Sequence, residues 1–186
     1  MSFLDVLSIE ALTVSLAFIG FVFGVWQYRK AQGWQRAEAV LSLIDRFERN
    51  ENLQGALRIL DSDEENVTFE GENSAKLSWA GISNALRVVP ATPATTFSPE
   101  ERMVRDAFDA FFDFLVLLQA LQKSGLLLFS DYRYFYYWFE ILSDERYWSD
   151  AKGCYRAIPH YMDSYGYGQV RALLHRYAKR PEPVRI

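Results

Sequence analysis

The segment from Ala11 to Tyr28, ALTVSLAFIGFVFGVWQY, contains no charged residue and lies between Glu10 and Arg29. A helix rises about 1.5 Å per residue, so about 20 mainly apolar residues cross a hydrocarbon core that is about 30 Å thick. The segment meets the lower end of that requirement. The pattern therefore predicts one transmembrane helix near the N-terminus, and the rest of the chain should fold beside the membrane.

Aromatic and basic residues follow the apolar segment. Such side chains are typical anchors at the membrane interface, and here they are Trp26, Tyr28, Arg29, Lys30 and Trp34. Because basic flanks stay in the cytoplasm, we expect the N-terminus outside and the domain inside, at the inner membrane. A cleaved signal peptide would begin with basic residues, whereas this chain begins with Asp5 and Glu10. A buried helix of a wholly soluble protein is the other alternative.

Two glycines, Gly20 and Gly24, form a GxxxG motif inside the predicted span. Glycines one helical turn apart make a flat surface on which a second helix can pack closely. The motif is also common by chance in apolar segments. Two interpretations therefore stay open, a homo-oligomer formed through the span and small residues that face lipid.

Length and charge limit the remaining choices. We assign residues 1–30 to the anchor, 31–180 to one cytoplasmic helical domain and 181–186 to a disordered tail. The net charge of −4 argues against nucleic-acid binding, which usually needs a strongly basic face. A single cysteine, Cys154, cannot form an intramolecular disulfide. The partners that we expect are the lipid bilayer and a protein of unknown identity.

Apolar residues recur at helical spacing through the domain, so the predicted fold class is all-α, a compact helical bundle after the span. The clearest helix covers Ser98–Ser124, because Ser98, Pro99 and Glu101 form a capped N-terminus. Its apolar stripe, expected to be buried, contains Phe108, Phe111, Leu115 and Leu118. The other predicted helices are Ala31–Leu60 with a break near Asn50, Ser74–Arg87, Asp131–Leu142, Trp148–Tyr165 and Val170–Ala178. Asp131–Leu142 is apolar nearly all round, so it should be buried in the domain, at a partner surface or on the membrane.

An acidic stretch, Asp61–Glu72, separates two of these helices and is expected to be a solvated loop. Alternating carboxylates at its start resemble the first ligands of a calcium loop. Asn66, however, stands where such a loop needs glycine. Calcium is therefore the less favoured interpretation.

Five charged residues are candidates for a structural or functional ion-pair cluster: Glu38, Arg105, Asp106, Asp109 and Asp113. Arg105 and Asp109 are four residues apart, as are Arg102 and Asp106, so each pair can meet on a helix surface. Asp113 lies among phenylalanines. A buried carboxylate there would need a basic partner, supplied by Arg36, Arg46 or Arg133.

Known catalytic signatures are missing from the sequence. Hydrolase and kinase motifs and phosphate-binding glycine loops do not occur. His160 and His175 do not follow a glutamate by three residues, the spacing of a di-iron bundle. We therefore expect no catalytic residue, no metal site and no cofactor, and a non-enzymatic role is favoured over an enzymatic one.

Several short motifs lie in this order along the domain: Trp34-Gln35-Arg36-Ala37-Glu38, Leu60-Asp61, Val104 through Phe112, Gly125-Leu126, Asp131 through Trp138, and Tyr161 through Tyr167. In these motifs the chain resembles an uncharacterised bacterial family of small proteins, each with one N-terminal membrane span and a cytoplasmic helical domain. The resemblance implies location and architecture. It implies no reaction and no catalytic residue.

Three functional hypotheses follow. The favoured one is a membrane-tethered, non-enzymatic interaction or scaffold module at the cytoplasmic face of a bacterial inner membrane. The second is an enzyme or metal protein with a carboxylate site around Glu38, Asp109 and Asp113. The third is a membrane effector, for example in defence, that oligomerises through its span.

Overall fold

A computed structural model describes residues 3–62, 66–69, 75–89, 96–143 and 154–178. Side chains are described from Thr13 onward, except those of Phe69, Ala75, Cys154 and Tyr155. The chain divides into two compact units, Met1–Ser42 and Leu43–Ile186. Most of the described residues are helical, as the sequence predicted, and a short two-stranded hairpin accompanies the helices.

The first helix, α1, runs from Phe3 to Arg49 without a break. Every side chain from Thr13 to Ala31 is exposed, including the large apolar ones. Among the described residues, no helix combines the length and the apolarity needed to cross a membrane. The span over Ala11–Tyr28 therefore remains a prediction.

Helix α2, Glu51–Asp61, begins where the sequence predicted a break. Asn50 has an extended backbone, and its side chain accepts a hydrogen bond from the Leu53 amide at 3.1 Å. This cap satisfies an amide that has no partner within the helix. The buried face of α2, which includes Leu53, Leu57 and Leu60, belongs to an element that packs against the central helix α4.

A β-hairpin corrects two of the sequence predictions. Strands β1, Asn66–Phe69, and β2, Ala75–Ser78, pair antiparallel, with Val67 opposite Leu77. Both of these side chains are buried, so their shared apolar face outweighs the acidic composition around them. The expectation of a loop throughout Asp61–Glu72 and of a helix from Ser74 was therefore wrong. Residues 63–65 and 70–74 lie outside the described residues.

Helix α3, Trp79–Ala85, starts directly after β2. Ser78 ends the strand and caps the helix, because its hydroxyl accepts a hydrogen bond from the Gly81 amide at 3.2 Å. Part of the helix predicted for Ser74–Arg87 is thus confirmed, but it is shorter. Pro90 and Pro93, which follow it, lie outside the described residues.

Helix α4, Pro99–Lys123, is the central helix that the sequence predicted. Ser98 and Glu101 form the reciprocal capping box, and Pro99 occupies the first turn. The predicted stripe is confirmed, because Phe108, Phe111, Leu115 and Leu118 are at most 1% exposed. The chain turns after the helix at Gly125, whose φ of 75° suits glycine.

The predicted helix Asp131–Leu142 is divided into a 3₁₀ helix, Phe129–Phe135, and α5, Tyr136–Ser143. Its expected burial is confirmed on one side only: Tyr132 and Phe135 are buried, whereas Tyr134 is 47% exposed. The Tyr134 hydroxyl donates to Glu48 at the end of α1. Phenolic hydroxyls let an aromatic segment keep a solvated face.

Two helices complete the fold, α6, Cys154–Ser164, and α7, Gly168–Ala178. Helix α6 continues through Pro159, although proline lacks the amide needed for a helical hydrogen bond. Trp148, where the sequence placed the start of this helix, lies outside the described residues, as does the tail 181–186.

Phenylalanines from three elements meet in the core. The rings of Phe47 in α1, Phe114 in α4 and Phe135 in the 3₁₀ helix have centroids 5.0 to 5.2 Å apart. Such tilted and edge-to-face pairs add to the stabilisation from burial. The end of α1 is thereby fixed within the second unit, Leu43–Ile186.

Candidate functional site

Arg105 lies at the centre of a cluster of polar and aromatic groups. Its guanidinium donates hydrogen bonds to the carbonyl oxygens of Ala85 and Arg87, at 2.9 and 3.4 Å. Its Cζ atom lies 4.3 to 4.9 Å from three ring centroids, those of Phe97, Tyr161 and Tyr165. We call Arg105 and these rings the arginine cage. It joins α3, α4 and α6 through cation–π contacts and carbonyl hydrogen bonds.

Asp109 lies one turn further along α4 and is half-buried. It accepts hydrogen bonds from the hydroxyls of Tyr161, at 2.7 Å, and Tyr167, at 3.1 Å. Burial, together with the neighbouring carboxylate, raises the pKa of both tyrosines well above the usual value. Both hydroxyls therefore remain protonated donors near neutral pH, and Asp109 serves as their shared acceptor.

Asp113 differs from the sequence expectation. It is exposed, and no ion pair links it to a basic residue in the described part of the chain. It approaches Tyr167, where it helps to raise the pKa of the phenol. An exposed carboxylate is hydrated, so the basic partner expected from Arg36, Arg46 or Arg133 is not required.

The local pairs predicted on α4 are replaced by longer-range contacts. Within the described ranges, no salt bridge joins Arg105 to Asp109 or Arg102 to Asp106. Arg102 donates instead to the Phe97 carbonyl at 3.1 Å, and Asp106 is exposed. Glu38 is exposed in the first unit. The predicted five-residue cluster is thus represented mainly by Arg105 and Asp109, which bind different partners.

An ion pair that the sequence did not predict lies beside the cage. Both guanidinium nitrogens of Arg87 reach the two carboxylate oxygens of Glu101, and the Arg87 Cζ lies 4.9 Å from the Phe97 centroid. Arg87 is the main cause of the lowered pKa of Glu101, which also accepts the Ser98 amide in the capping box. The pair links the first turn of α4 to the chain just after α3.

An open cleft of about 720 Å³ lies where β2, α3 and the start of α4 meet. Its carboxylates already have partners, because Glu100 accepts a hydrogen bond from the Ser98 hydroxyl at 2.7 Å and Glu101 binds Arg87. The hydrogen bond from Ser98 lowers the pKa of Glu100. Both groups are therefore ionised near neutral pH, and neither has the raised pKa of a general acid.

Histidine, cysteine, aspartate and glutamate side chains form no group of three or more that could hold a metal in the described part of the chain. Asp61, the first position of the less favoured calcium loop, instead accepts a hydrogen bond from the Tyr137 hydroxyl. The other carboxylates of that loop, Asp63 and Glu65, lie outside the described residues.

The residues proposed for the span and its interface all lie on α1. Gly20 and Gly24 are exposed, and a side chain added at either would meet no atom within 4 Å. Lys30 lies with its amine 5.3 Å from the Trp26 ring, in a cation–π contact. The other three interface residues, Tyr28, Arg29 and Trp34, are exposed.

Sequence reasoning missed five site residues: Arg87, Phe97, Tyr161, Tyr165 and Tyr167. Tyr161 and Tyr167 follow Asp109 by 52 and 58 residues, and Arg87 precedes Glu101 by 14. Helical spacing reports only neighbours three or four residues apart. The one usable signal was the run of tyrosines and glycines between the helices predicted at Trp148–Tyr165 and Val170–Ala178.

No protein-family model, curated protein or solved structure matches this chain. The resemblance to a family of membrane-anchored bacterial proteins therefore stays a prediction. A function must be argued from the chemistry of the chain's own residues.

Proposed function

We propose that this protein is a membrane-tethered, non-enzymatic helical interaction module at the cytoplasmic face of a bacterial inner membrane. The segment Ala11–Tyr28 is the proposed anchor, and the helical domain is the part that meets a protein partner. One observation carries the proposal: the large apolar side chains of α1 between Val14 and Tyr28 are exposed.

These side chains surround the helix. Phe18, Ile19, Phe21 and Val22 are each about half to two-thirds exposed, and successive helical positions point about 100° apart. A helix that is apolar all round requires a cover on every side, and lipid provides one. The 18 uncharged residues between Glu10 and Arg29 extend about 27 Å as a helix, close to the hydrocarbon thickness of a bilayer.

The arginine cage supports a packing role for the polar groups of the domain. Arg105 is engaged by two carbonyl oxygens and three rings. Asp109 is engaged by Tyr161 and Tyr167, whose raised pKa values keep them protonated. Groups that satisfy one another in this way hold helices together, whereas a catalytic acid or base must be free to exchange a proton with a substrate.

Extraction of membranes tests the anchor. The full-length chain, produced in a bacterium, should sediment with membranes, remain there after washing at alkaline pH in carbonate and dissolve in detergent. A variant with Ile19→Lys and Val22→Lys should leave the membrane fraction, because each charge at the centre of a span costs about 3 kcal/mol. The matched control, Lys76→Gln with Asp106→Asn, should behave as the parent chain.

Two outcomes would contradict the proposal. The parent chain could appear in the supernatant after lysis, or carbonate could release it as readily as a peripheral protein. Either result would indicate that a protein partner, and not lipid, covers the exposed apolar residues of α1. Self-association through Gly20 and Gly24 is a separate prediction that this experiment does not address.

A further inference from the structure

We propose that the domain has a second, direct contact with the membrane: a patch formed by Leu126, Leu128, Lys123 and Arg176 that docks on anionic lipid. We call these four residues the leucine patch. The proposal rests on the proposed function, because the tether keeps the domain close to the bilayer. It adds a specific face of the domain and a specific lipid chemistry.

The two leucines are displayed by a loop with a defined backbone. Leu127 is buried at 1% exposure, and its amide donates to the Leu121 carbonyl at 3.3 Å. Its neighbours Leu126 and Leu128 are 62% and 49% exposed. The Leu128 amide donates to the Asp131 carboxylate at 2.7 Å, and the Asp131 amide donates to the Leu128 carbonyl at 3.0 Å. The loop therefore presents two large apolar side chains that no described element covers.

Basic residues end two helices next to this loop. Lys123 is exposed in the last turn of α4, and Arg176 is exposed in the last turn of α7. The end of α7 lies beside the loop, since the Tyr177 ring contacts those of Phe129 and Tyr136, with centroids 6.5 and 5.2 Å apart. Both cations lie in the last turn of a helix, where a positive side chain is favoured.

One acidic residue offsets part of this charge. Asp131 is the carboxylate nearest in sequence to the loop, and its side chain accepts a hydrogen bond from the Leu128 amide. Arg176 lies close enough to influence Tyr132, although burial of the phenol has the larger effect and raises its pKa. The patch is thus a pair of leucines accompanied by two cations and one engaged carboxylate.

This combination fits anionic lipid. Leucine side chains enter the boundary between headgroups and acyl chains, and basic side chains bind the negatively charged leaflet. Each basic residue near that surface strengthens binding about fivefold. Such a patch is weak alone, but a tether raises its effective concentration at the bilayer and makes weak docking sufficient. A protein partner that covers the leucines is the alternative outcome.

A depth measurement on the full-length chain tests the patch. A nitroxide label on Leu126→Cys, in a Cys154→Ser background, is placed in liposomes of phosphatidylcholine alone or mixed with phosphatidylglycerol. Paramagnetic resonance then compares collisions with oxygen, which enriches in lipid, and with a water-soluble nickel chelate. We expect the Leu126 label to be immersed in the anionic liposomes and to be mainly in water without phosphatidylglycerol.

Two labels act as controls. Val22→Cys reports the anchor, and Thr68→Cys, exposed on β1, should contact water in both lipids. Lys123→Gln and Arg176→Gln should each reduce the immersed fraction of the Leu126 label, by about fivefold in the ratio of docked to undocked molecules. Lys76→Gln removes the same charge from β2 and should change nothing. Equal melting temperatures show that the variants remain folded.

The outcomes separate the two proposals. The patch is overturned and the anchor stands if the Val22 label is immersed while the Leu126 label is in water in both lipids. A protein partner would then be the expected cover for the leucines. A Leu126 label immersed on anionic lipid, with a Val22 label in water, supports the patch and overturns the anchor. Immersion that is equal in both lipids, or unchanged by Lys123→Gln and Arg176→Gln, overturns the electrostatic part of the proposal.

Discussion

Asp109 and Asp113 lie one turn apart on α4 but have different surroundings. Asp109 is half-buried and accepts two tyrosine hydroxyls, whereas Asp113 is exposed and approaches one of the same tyrosines. Removing an acceptor is costly when it leaves buried donors without a partner. The two residues therefore form a matched pair for testing what the arginine cage region contributes to stability.

Replacing Asp109 should destabilise the domain far more than replacing Asp113. Asp109→Ala leaves the Tyr161 hydroxyl, on a fully buried residue, without its acceptor, so we expect a loss of about 2–3 kcal/mol in the free energy of unfolding. Asp113→Ala should cost about 0.5 kcal/mol or less, as surface substitutions usually do. Urea denaturation measures both. Equal losses would mean that the tyrosines do not depend on Asp109.

Buried tyrosines should make the fold sensitive to alkaline pH. Burial raises the pKa of Tyr132 from 10.0 to about 12 in the folded state. The unfolded chain then releases this proton first, so the stabilisation present below pH 10 is lost as the pH rises from about 10 to about 12. With 1.36 kcal/mol for each unit of pKa, the loss is about 2–3 kcal/mol.

Tyr132→Phe should make this alkaline decline less steep, because one of the buried tyrosines with a raised pKa is removed. The same variant loses the hydrogen bond from the Tyr132 hydroxyl to the Leu118 carbonyl, so the slope of stability against pH is the quantity to compare. Tyr165→Phe, at an exposed position, is the control and should keep the slope. An unchanged slope in Tyr132→Phe would show that the phenol is not protected by the fold.

At the scale of elements, the sequence predicted those helices and strands whose signals lie within their own residues. Helix α4 has its cap, proline and apolar stripe within its own sequence, so its bounds and its buried face followed from the pattern. Strands β1 and β2 depend on pairing between Val67 and Leu77, which are ten residues apart in the chain. Val67 and Leu77 are isolated apolar residues in short segments near acidic ones. Such residues give little indication of a strand, so the sequence did not predict the hairpin.

Helix α4 should also contribute most to the stability of the domain. Phe111 is fully buried and its ring contacts that of Phe112, with centroids 5.9 Å apart. We expect Phe111→Ala to reduce the free energy of unfolding by about 3–5 kcal/mol, through lost burial and an unfilled cavity. Asp106→Ala, on the exposed side of the same helix, is the control. A loss below about 1 kcal/mol for Phe111→Ala would contradict the central position of α4.

At the scale of the whole molecule, the sequence indicated a helical domain after an apolar helix. The contacts that join its elements could not be predicted from the sequence, because the partners of Arg105, Asp109 and Glu101 are distant in the chain. The compact units meet after Ser42, whereas the predicted boundary followed residue 30. The predicted boundary rests on an expected change of solvent at the basic residues Arg29 and Lys30, whereas the compact units are defined by packing.

The orientation of the full chain is the prediction that belongs to this scale. Since Arg29 and Lys30 follow the proposed anchor, the C-terminus should face the cytoplasm. A reporter that is active only in the periplasm, fused after Ile186, should therefore stay silent, while a cytoplasmic reporter at the same point should be active. The opposite pattern would overturn the orientation. Replacing Arg29 and Lys30 by glutamine should make the orientation mixed.

The arginine cage has a consequence for spectroscopy. Three ring centroids lie within 5 Å of the Arg105 Cζ, and carbonyl oxygens hold its N–H groups. Ring currents should therefore shift the side-chain N–H resonances of Arg105 upfield, and the hydrogen bonds should slow both their exchange with solvent and the rotation about the Nε–Cζ bond. A single arginine signal would then report, in living cells or in lipid, whether α3, α4 and α6 remain assembled.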